Sequence, residues 1–309
     1  MTRPSPAPPR FVAGVALAVA AVLLAGCSSG AGEAANVPRL APPAFQHIHA
    51  LTVDPSNGDL MVATHEGLYE LVVASDGTST ADGPVGGLDS DLMGFTISGN
   101  TAYASGHPGP TTPDSFGIPN LGLISSSDRG KTWTNVSLTG QTDFHALTVT
   151  PPGEDGSAAR IFGVDSSKLA IQRSLDGGNT WTDGAELVAR DIVADPKSPG
   201  TIYATTEHGL AVSSDNASSF EIVPLAPALY LLGINGVTNL LAGIDTSGAV
   251  WRQDGTEAWI RGGKVSGTPQ AVTVFENRLY VADERGIAFS EDDGVSWTVI
   301  KISLSSAVR

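Results

Sequence analysis

Apolar positions along the chain fall in runs of four to six residues rich in Val, Ile, Leu and aromatics, each bounded by a cluster of Gly, Pro, Asn, Asp or Ser. The rhythm is clearest in ARDIVADPKSPGTIYATTEHGLAVSSDNASSFEIV, residues 189–223. There DIVAD, TIYAT, LAVSS and SFEIV read as strands, with PKSPG, TEHG and DNAS as the turns between them. Runs of this length, β-branched and bounded by turn formers, predict antiparallel strands. The same order recurs at 49–72, 160–174 and 271–290, and HALTV occurs verbatim at 49–53 and 145–149. No long stretch carries a helical period, so the pattern predicts an all-β chain built by duplication.

A polar knot closes each unit. LGLISSSDRGKTW (121–133), SLDGGNTW (174–181) and SEDDGVSW (290–297) place Ser126, Ser174 and Ser290 two residues before an aspartate. Asp128, Asp176, Asp215, Asp254 and Asp292 follow one another at intervals of 48, 39, 39 and 38 residues. Five places after them stand Trp133, Trp181, Phe220, Trp259 and Trp297. Gly130, Gly178 and Gly294 come two places after the aspartate, replaced by Ala217 and Thr256 in the worn copies. Five octets in register mark an internal repeat, which outranks any local reading. Six units result, at about 47–84, 91–138, 144–188, 189–224, 228–263 and 269–302; in the first, Asp76 lacks the aromatic. Four-stranded units of this size predict a six-bladed β-propeller, whose closure removes exposed sheet edges. A seventh blade from the chain ends and a two-sheet sandwich are the alternatives, but a sandwich explains neither the period nor the aromatic in register. In this reading the knots are structural. Aspartate accepts backbone N–H bonds across a tight turn, glycine permits positive φ, and the aromatic fills the gap between sheets. A calcium loop needs about six oxygen ligands, more than one knot offers.

Ahead of the repeats lies a different chain. Arg3 and Arg10 precede FVAGVALAVAAVLLAG (11–26), an uncharged run too short for a membrane helix and suited to a signal peptide. The one cysteine, Cys27, follows at once, and Leu24-Ala25-Gly26-Cys27 resembles the bacterial lipobox. That resemblance implies removal of 1–26 and a lipid on Cys27, leaving no thiol for redox or nucleophilic chemistry. Residues 27–44 read as the lipidated cysteine and a flexible tether, 45–302 as the propeller and 303–309 as a tail. The expected location is the extracytoplasmic side of the cell membrane, reached through a lipid anchor. The formal charge of −15 excludes sequence-independent nucleic-acid binding as an expectation.

The octets S-x-D-x-G-x-x-W at 126–133, 174–181 and 290–297 resemble the Asp-box, or BNR repeat, of sialidase-like and sortilin-like propellers. In that family the boxes lie on the face opposite the working site. The resemblance does not extend to a sialidase mechanism, which needs an arginine triad, a Tyr–Glu pair and an acid/base Asp. FQHIHALTV (45–53) opens the first blade where the family has an arginine segment. Tyr69, Tyr103, Tyr203 and Tyr280 sit in strand patterns, Tyr230 in an apolar run, and Arg129 in a knot.

All six histidines fall on the loop face that the resemblance makes the working one: His47, His49, His65, His107, His145 and His208. The acids there are Glu66, Asp165, Glu207, Asp245, Asp283 and Glu284, beside Arg285. Three readings follow. A divalent metal on this face would take His49, His65, His145 and His208, converging only through the ring. A propeller glycoside hydrolase would use Glu66 and Glu207 as its carboxylate pair. Otherwise these residues cap strand ends and dress a binding surface. The primary expectation is a monomeric binding or scaffold module without a cofactor, for an envelope protein or glycan. Residues 106–120 form a Pro-rich insertion in the second unit, placed to cover a channel mouth, with Phe116 for an apolar contact. No G-x-S-x-G elbow, P-loop or dinucleotide fingerprint occurs.

Overall fold

The computed structural model describes residue 45 and residues 47–305; the apolar run 11–26, the Leu24–Cys27 motif and the tether lie outside them. The described residues form six antiparallel sheets in a ring, a six-bladed β-propeller. Blade 1 takes Ile48–Val53, Leu60–Thr64, Gly67–Val73 and Thr78–Asp82; blade 2 takes Asp91–Ser98, Thr101–His107, Leu123–Ser126 and Thr134–Ser137. Blade 3 is Phe144–Thr150, Arg160–Asp165, Ala170–Ser174 and Thr182–Glu186, and blade 4 is Ala189–Ala194, Ile202–Thr206, Gly209–Ser213 and Glu221–Ile222. Blade 5 comprises Leu229–Ile234, Leu241–Asp245, Ala249–Gln253 and Trp259–Lys264; blade 6 comprises Ala271–Phe275, Arg278–Asp283, Gly286–Ser290 and Thr298–Val299. The first strands of successive blades touch one another all the way round, from blade 6 back to blade 1.

Burial follows strand order. Leu60–Thr64 is buried at every position, whereas Thr182–Glu186 and Glu221–Ile222 have no buried residue. A second strand has another blade on both faces, so its sequence is nearly continuously apolar and not alternating. The apolar clusters lie at the seams. Leu51 and Leu60 of blade 1 pack with Tyr280 and Phe289 of blade 6. Met61 and Leu68 pack with Phe95 and Ile124 of blade 2. Blades 2 and 3 share Leu123 with Phe144 and Ile161, and blades 3 and 4 share Phe162 and Ile171 with Ile202. Leu210 of blade 4 meets Leu232 and Leu241 of blade 5, and Val250 of blade 5 meets Leu279 of blade 6.

The knots are struts across these seams. Ser126 Oγ donates to Asp128 Oδ1 (2.8 Å) and accepts from Gly130 N (2.8 Å). Asp128 accepts from Thr132 N at Oδ1 (2.8 Å) and from Thr132 Oγ1 at Oδ2 (2.6 Å). The same four bonds recur around Asp176, Asp215 and Asp292. Two residues in a row are left-handed there, for example Arg129 and Gly130 at φ 65° and 84°. A Cβ on Gly130 would stand 2.6 Å from Leu68 of blade 1, and one on Gly294 the same distance from Val250 of blade 5. Glycine therefore suits both the close approach and the positive φ. Ala217 holds the position in blade 4 at φ 60°, fully buried.

Trp133, Trp181, Phe220, Trp259 and Trp297 pack at five successive seams, each against the preceding blade. Trp181 Nε1 donates to Ser137 Oγ at 2.9 Å and Trp297 Nε1 to Lys264 O at 2.8 Å, both on the preceding blade's fourth strand. Removing the buried Trp133 costs about 3–5 kcal/mol, and the partly exposed four less. The residue after the aspartate adds a polar link. Arg129 reaches Asp54 and Asp59 (2.9 Å each) and Glu70 of blade 1, and Asp293 takes Arg252 of blade 5 at 2.7 Å. The turn at Asp254 departs from the pattern. With Arg252 where the others have serine, Asp254 accepts only from Thr256, at 2.8 and 2.7 Å, as Asp76 does from Thr78.

The seam between blades 6 and 1 has no such knot. Instead the chain crosses it at buried Ile300, and Lys301–Leu304 adds a fifth strand to blade 1, parallel to Thr78–Asp82. This strand runs past the boundary read from the sequence at 302.

Two outcomes follow. Hydrogen bonds from Thr or Ser hydroxyls and backbone hold Asp128, Asp176, Asp215 and Asp292 at about 2, below the ordinary 3.8. A depressed carboxyl stabilises the fold above its unfolded value and loses that contribution as pH falls towards its folded one. The melting temperature should therefore drop between about pH 4 and 2, and Asp176→Asn should be less stable at pH 7 but show a shallower acid drop. Deleting residues 301–309 should lower the melting temperature by several degrees at neutral pH, read by circular dichroism, through loss of the closing strand.

Candidate functional site

The first strands line a central channel of about 620 Å³. At their starting ends, five successive blades carry a β-bulge. Ile48 pairs with Thr64 and Ala50 with Ala63, which leaves His49 as the extra residue. By the same register shift the extra residues of blades 2 to 5 are Met93, His145, Arg190 and Tyr230. A bulge re-aims a side chain out of the ladder. Here His49, Met93, His145 and Arg190 line the channel, and Arg190 stacks over the Tyr230 ring at 4.9 Å. The knots close the turns between third and fourth strands, at the opposite ends of the blades.

Two histidine clusters stand at this mouth, each organised by an aspartate from across a seam or just before the next blade. Asp91, the first residue of blade 2, meets blade 1 histidines through both oxygens: His49 Nε2 at 3.0 Å and His65 Nδ1 at 2.8 Å. The His49 contact is at ion-pair distance without hydrogen-bond alignment, so His49 Nε2 and Asp91 Oδ1 remain buried polar atoms. His47 Nδ1 lies 3.3 Å from His65 Nε2, and the three rings pack with centroids 4.5–5.2 Å apart. Asp143, just before blade 3, receives His107 Nε2 at 3.1 Å and His145 Nε2 at 2.7 Å on Oδ2. Its Oδ1 is buried and unpartnered.

The electrostatics differ between the clusters. Desolvation and the neighbouring His49 and His65 push His47 below its ordinary value, against the pull of Asp91. The hydrogen bond to Asp143 pushes His145 up. Burial pushes Asp91 up, but its contacts with His49 and His65 outweigh that and hold it below the usual carboxylate range. Asp191, half-buried in the channel wall, is pushed up to about 6 by desolvation although Ile192 N and Leu232 N donate to it at 2.9 Å.

The structure sorts the sequence candidates. His49 and His65 come together, and His47 joins them. His145 belongs to the Asp143 cluster. His208, on blade 4, is 78% exposed and has only Glu207, at 3.6 Å, beside it. The quartet His49, His65, His145 and His208 is thus divided among three places. Glu66 and Glu207 occupy the second-to-third-strand turns of blades 1 and 4, opposite one another in the ring, and form no pair. Asp165, Asp245 and Asp283 close their own turns by accepting from Ser167 N (2.8 Å), Ser247 N (2.8 Å) and Arg285 N (2.9 Å).

The 106–120 insertion contributes no residue to the channel lining. Phe116 packs on the cluster between blades 1 and 2, and Thr111 N donates to Asp89 at 3.1 Å, so the loop lies along its own blade. Its link to the site is indirect: Pro119 O contacts His107 Nδ1 at 3.3 Å, turning Nε2 towards Asp143. Asp91, Asp143 and Arg190 were absent from the candidates. A question about what faces H-x-H from the start of the next unit would have found Asp91.

No protein-family model and no curated protein matches the chain. Among solved structures it is similar to one in a nidogen/laminin complex, at 16% identity and TM-score 0.58, covering 76% of this chain and 89% of that one. It is also similar to a GH74 enzyme from Niastella koreensis (19%, TM-score 0.57, 84% of this chain, 45% of that one). A GH74 xyloglucanase from Xanthomonas campestris aligns at 18% identity and TM-score 0.52, over 83% of this chain and 45% of that one. The chain spans less than half the length of either GH74 structure. At these identities the likeness shows the propeller fold alone.

Proposed function

We propose that this chain is a non-catalytic binding propeller, held by a lipid on Cys27 at the extracytoplasmic face of a membrane, that captures an envelope glycan or protein at the histidine-bearing mouth. One observation carries the reading: bulges in successive blades bring His49, Met93, His145 and Arg190 to the same end of the channel. A surface assembled from several blades this way suits recognition of an extended ligand. The repeated turns around Asp128, Asp176, Asp215 and Asp292 support kinship with Asp-box propellers, which place them away from the working face. Among the described residues, no helix is long and apolar enough to cross a membrane.

A glycoside hydrolase needs two carboxylates roughly 5 Å or 6.5–9.5 Å apart across one sugar. Glu66 and Glu207 stand on opposite blades, and Asp91 and Asp143 are each engaged by two imidazoles. The geometry favours binding over turnover.

Incubation of the full chain with a glycan panel that includes xyloglucan oligosaccharides should release no new reducing ends. Arg190→Ala should weaken any captured glycan or cross-linked envelope protein at least tenfold. Turnover that Glu66→Gln or Glu207→Gln abolishes would replace this reading with the hydrolase. Cells expressing the chain should incorporate labelled palmitate into it and lose the label in Cys27→Ala; unlabelled wild-type protein would remove the anchor.

A further inference from the structure

We propose that His47, His49 and His65 form a three-imidazole site for a borderline divalent cation, zinc or copper(II), with Asp91 as the carboxylate that orients two of the ligands. One ring nitrogen of each histidine lies within 4.8 Å of the other two. One pair, His47 Nδ1 and His65 Nε2, is 3.3 Å apart. Two nitrogens bound to zinc at 2.0–2.1 Å and a tetrahedral angle stand about 3.4 Å apart, so this edge already has the required length. The third ligand, His49, lies within 4.8 Å of both, and rotation of the exposed His47 and His65 rings has at most about 1.5 Å to close on each edge.

The orientation of the rings supports the same chemistry. A metal-bound imidazole commonly donates its other N–H to a carboxylate, which fixes the tautomer and raises ligand basicity. Asp91 takes His65 through Nδ1 and so leaves Nε2 unprotonated, an acceptor facing His47 Nδ1 that a cation can take over. Its other oxygen lies 3.0 Å from His49 Nε2, a contact without hydrogen-bond alignment that places Nδ1 on the far side of the ring. One carboxylate on blade 2 thereby stands against two ligands on blade 1. Imidazole donors select zinc, copper and nickel over magnesium or calcium, which prefer oxygen. Three ligands leave a coordination position for water or an incoming group. The pattern is local in sequence, His47 just before the first strand, His49 on it and His65 just after the second, because the first two strands are paired there.

The site rests on this geometry and not on the ligand capture proposed above, and its readout is metal content. The test uses the untagged full chain in detergent, stripped with chelator and dialysed against zinc sulfate or, separately, copper sulfate. One equivalent of metal per chain is expected by elemental analysis, with about three nitrogen neighbours at about 2.0–2.1 Å by X-ray absorption. His49→Ala and His65→Ala should each weaken binding at least a hundredfold, Asp91→Asn about 10–100-fold, and His208→Ala not at all. Circular dichroism in chelator shows which variants fold. Absence of bound metal would overturn the proposal, as would retention in folded His49→Ala and His65→Ala, or an equal loss in His208→Ala. Should the histidine variants not fold, the wild-type spectrum decides alone, and fewer than three imidazole scatterers rejects the site.

Discussion

The structure depends on burial between neighbouring sheets, because no blade has two layers of its own from which to make a core. Each apolar cluster joins two blades: Leu60 with Phe289, Leu68 with Ile124, Phe144 with Leu123, Ile171 with Ile202, Leu210 with Leu241, Val250 with Leu279. A blade removed from the ring would expose both faces of its second strand. The repeated turn answers that constraint, since glycine, aromatic and the residue after the aspartate all act on the preceding blade. Closure is the one step that repetition cannot supply. The seam between blades 6 and 1 is completed by Ile300 and by Lys301–Leu304 on the outer edge of blade 1.

The mouth inherits its organisation from the same ring. Its aspartates act across a seam or beside it: Asp91 of blade 2 holds His49 and His65 of blade 1, and Asp143 holds His107 of blade 2 with His145 of blade 3. The histidine arrangement exists only when these blades are docked. The two ends of the wheel thus divide the work. Knots fix spacing between blades at one end, and the bulges at the other turn that fixed spacing into an array of side chains.

Much of the fold was legible because its signal is local and repeated. The intervals between Asp128, Asp176, Asp215 and Asp292 located the blades, and the alternation of β runs with turn clusters located the strands. Asp254 shows the limit: the interval is right, but without the serine the turn closes differently. The parallel pairing of Lys301–Leu304 with Thr78–Asp82 joins residues too far apart in sequence for any local pattern to reveal. The site was half legible. The turns placed all six histidines at one end of the wheel, yet which of them meet depends on bulges and seam contacts. His208 sits in a turn equivalent to that of His65 but has no counterpart of Asp91 across its seam, so it stays in solvent with Glu207.

The mouth and the knots differ in how their carboxylates are partnered. In each full knot both carboxylate oxygens are occupied by hydrogen bonds, as at Asp176 and Asp292. Of ten buried side-chain atoms left without a hydrogen bond among the described residues, four lie at the mouth: His49 Nε2, Glu66 Oε2, Asp91 Oδ1 and Asp143 Oδ1. A buried polar atom left unmatched costs about 1–3 kcal/mol, and an aliphatic residue at any of these positions would avoid the penalty. The other six, Arg129 Nε and Trp259 Nε1 of the knots among them, lie towards the opposite end, so what sets the mouth apart is that its unmatched atoms include two carboxylate oxygens beside imidazoles. A cation bound by the blade 1 histidines would act on Asp91 through the rings. It would occupy the nitrogens facing one another and strengthen the contacts of the carboxylate behind them.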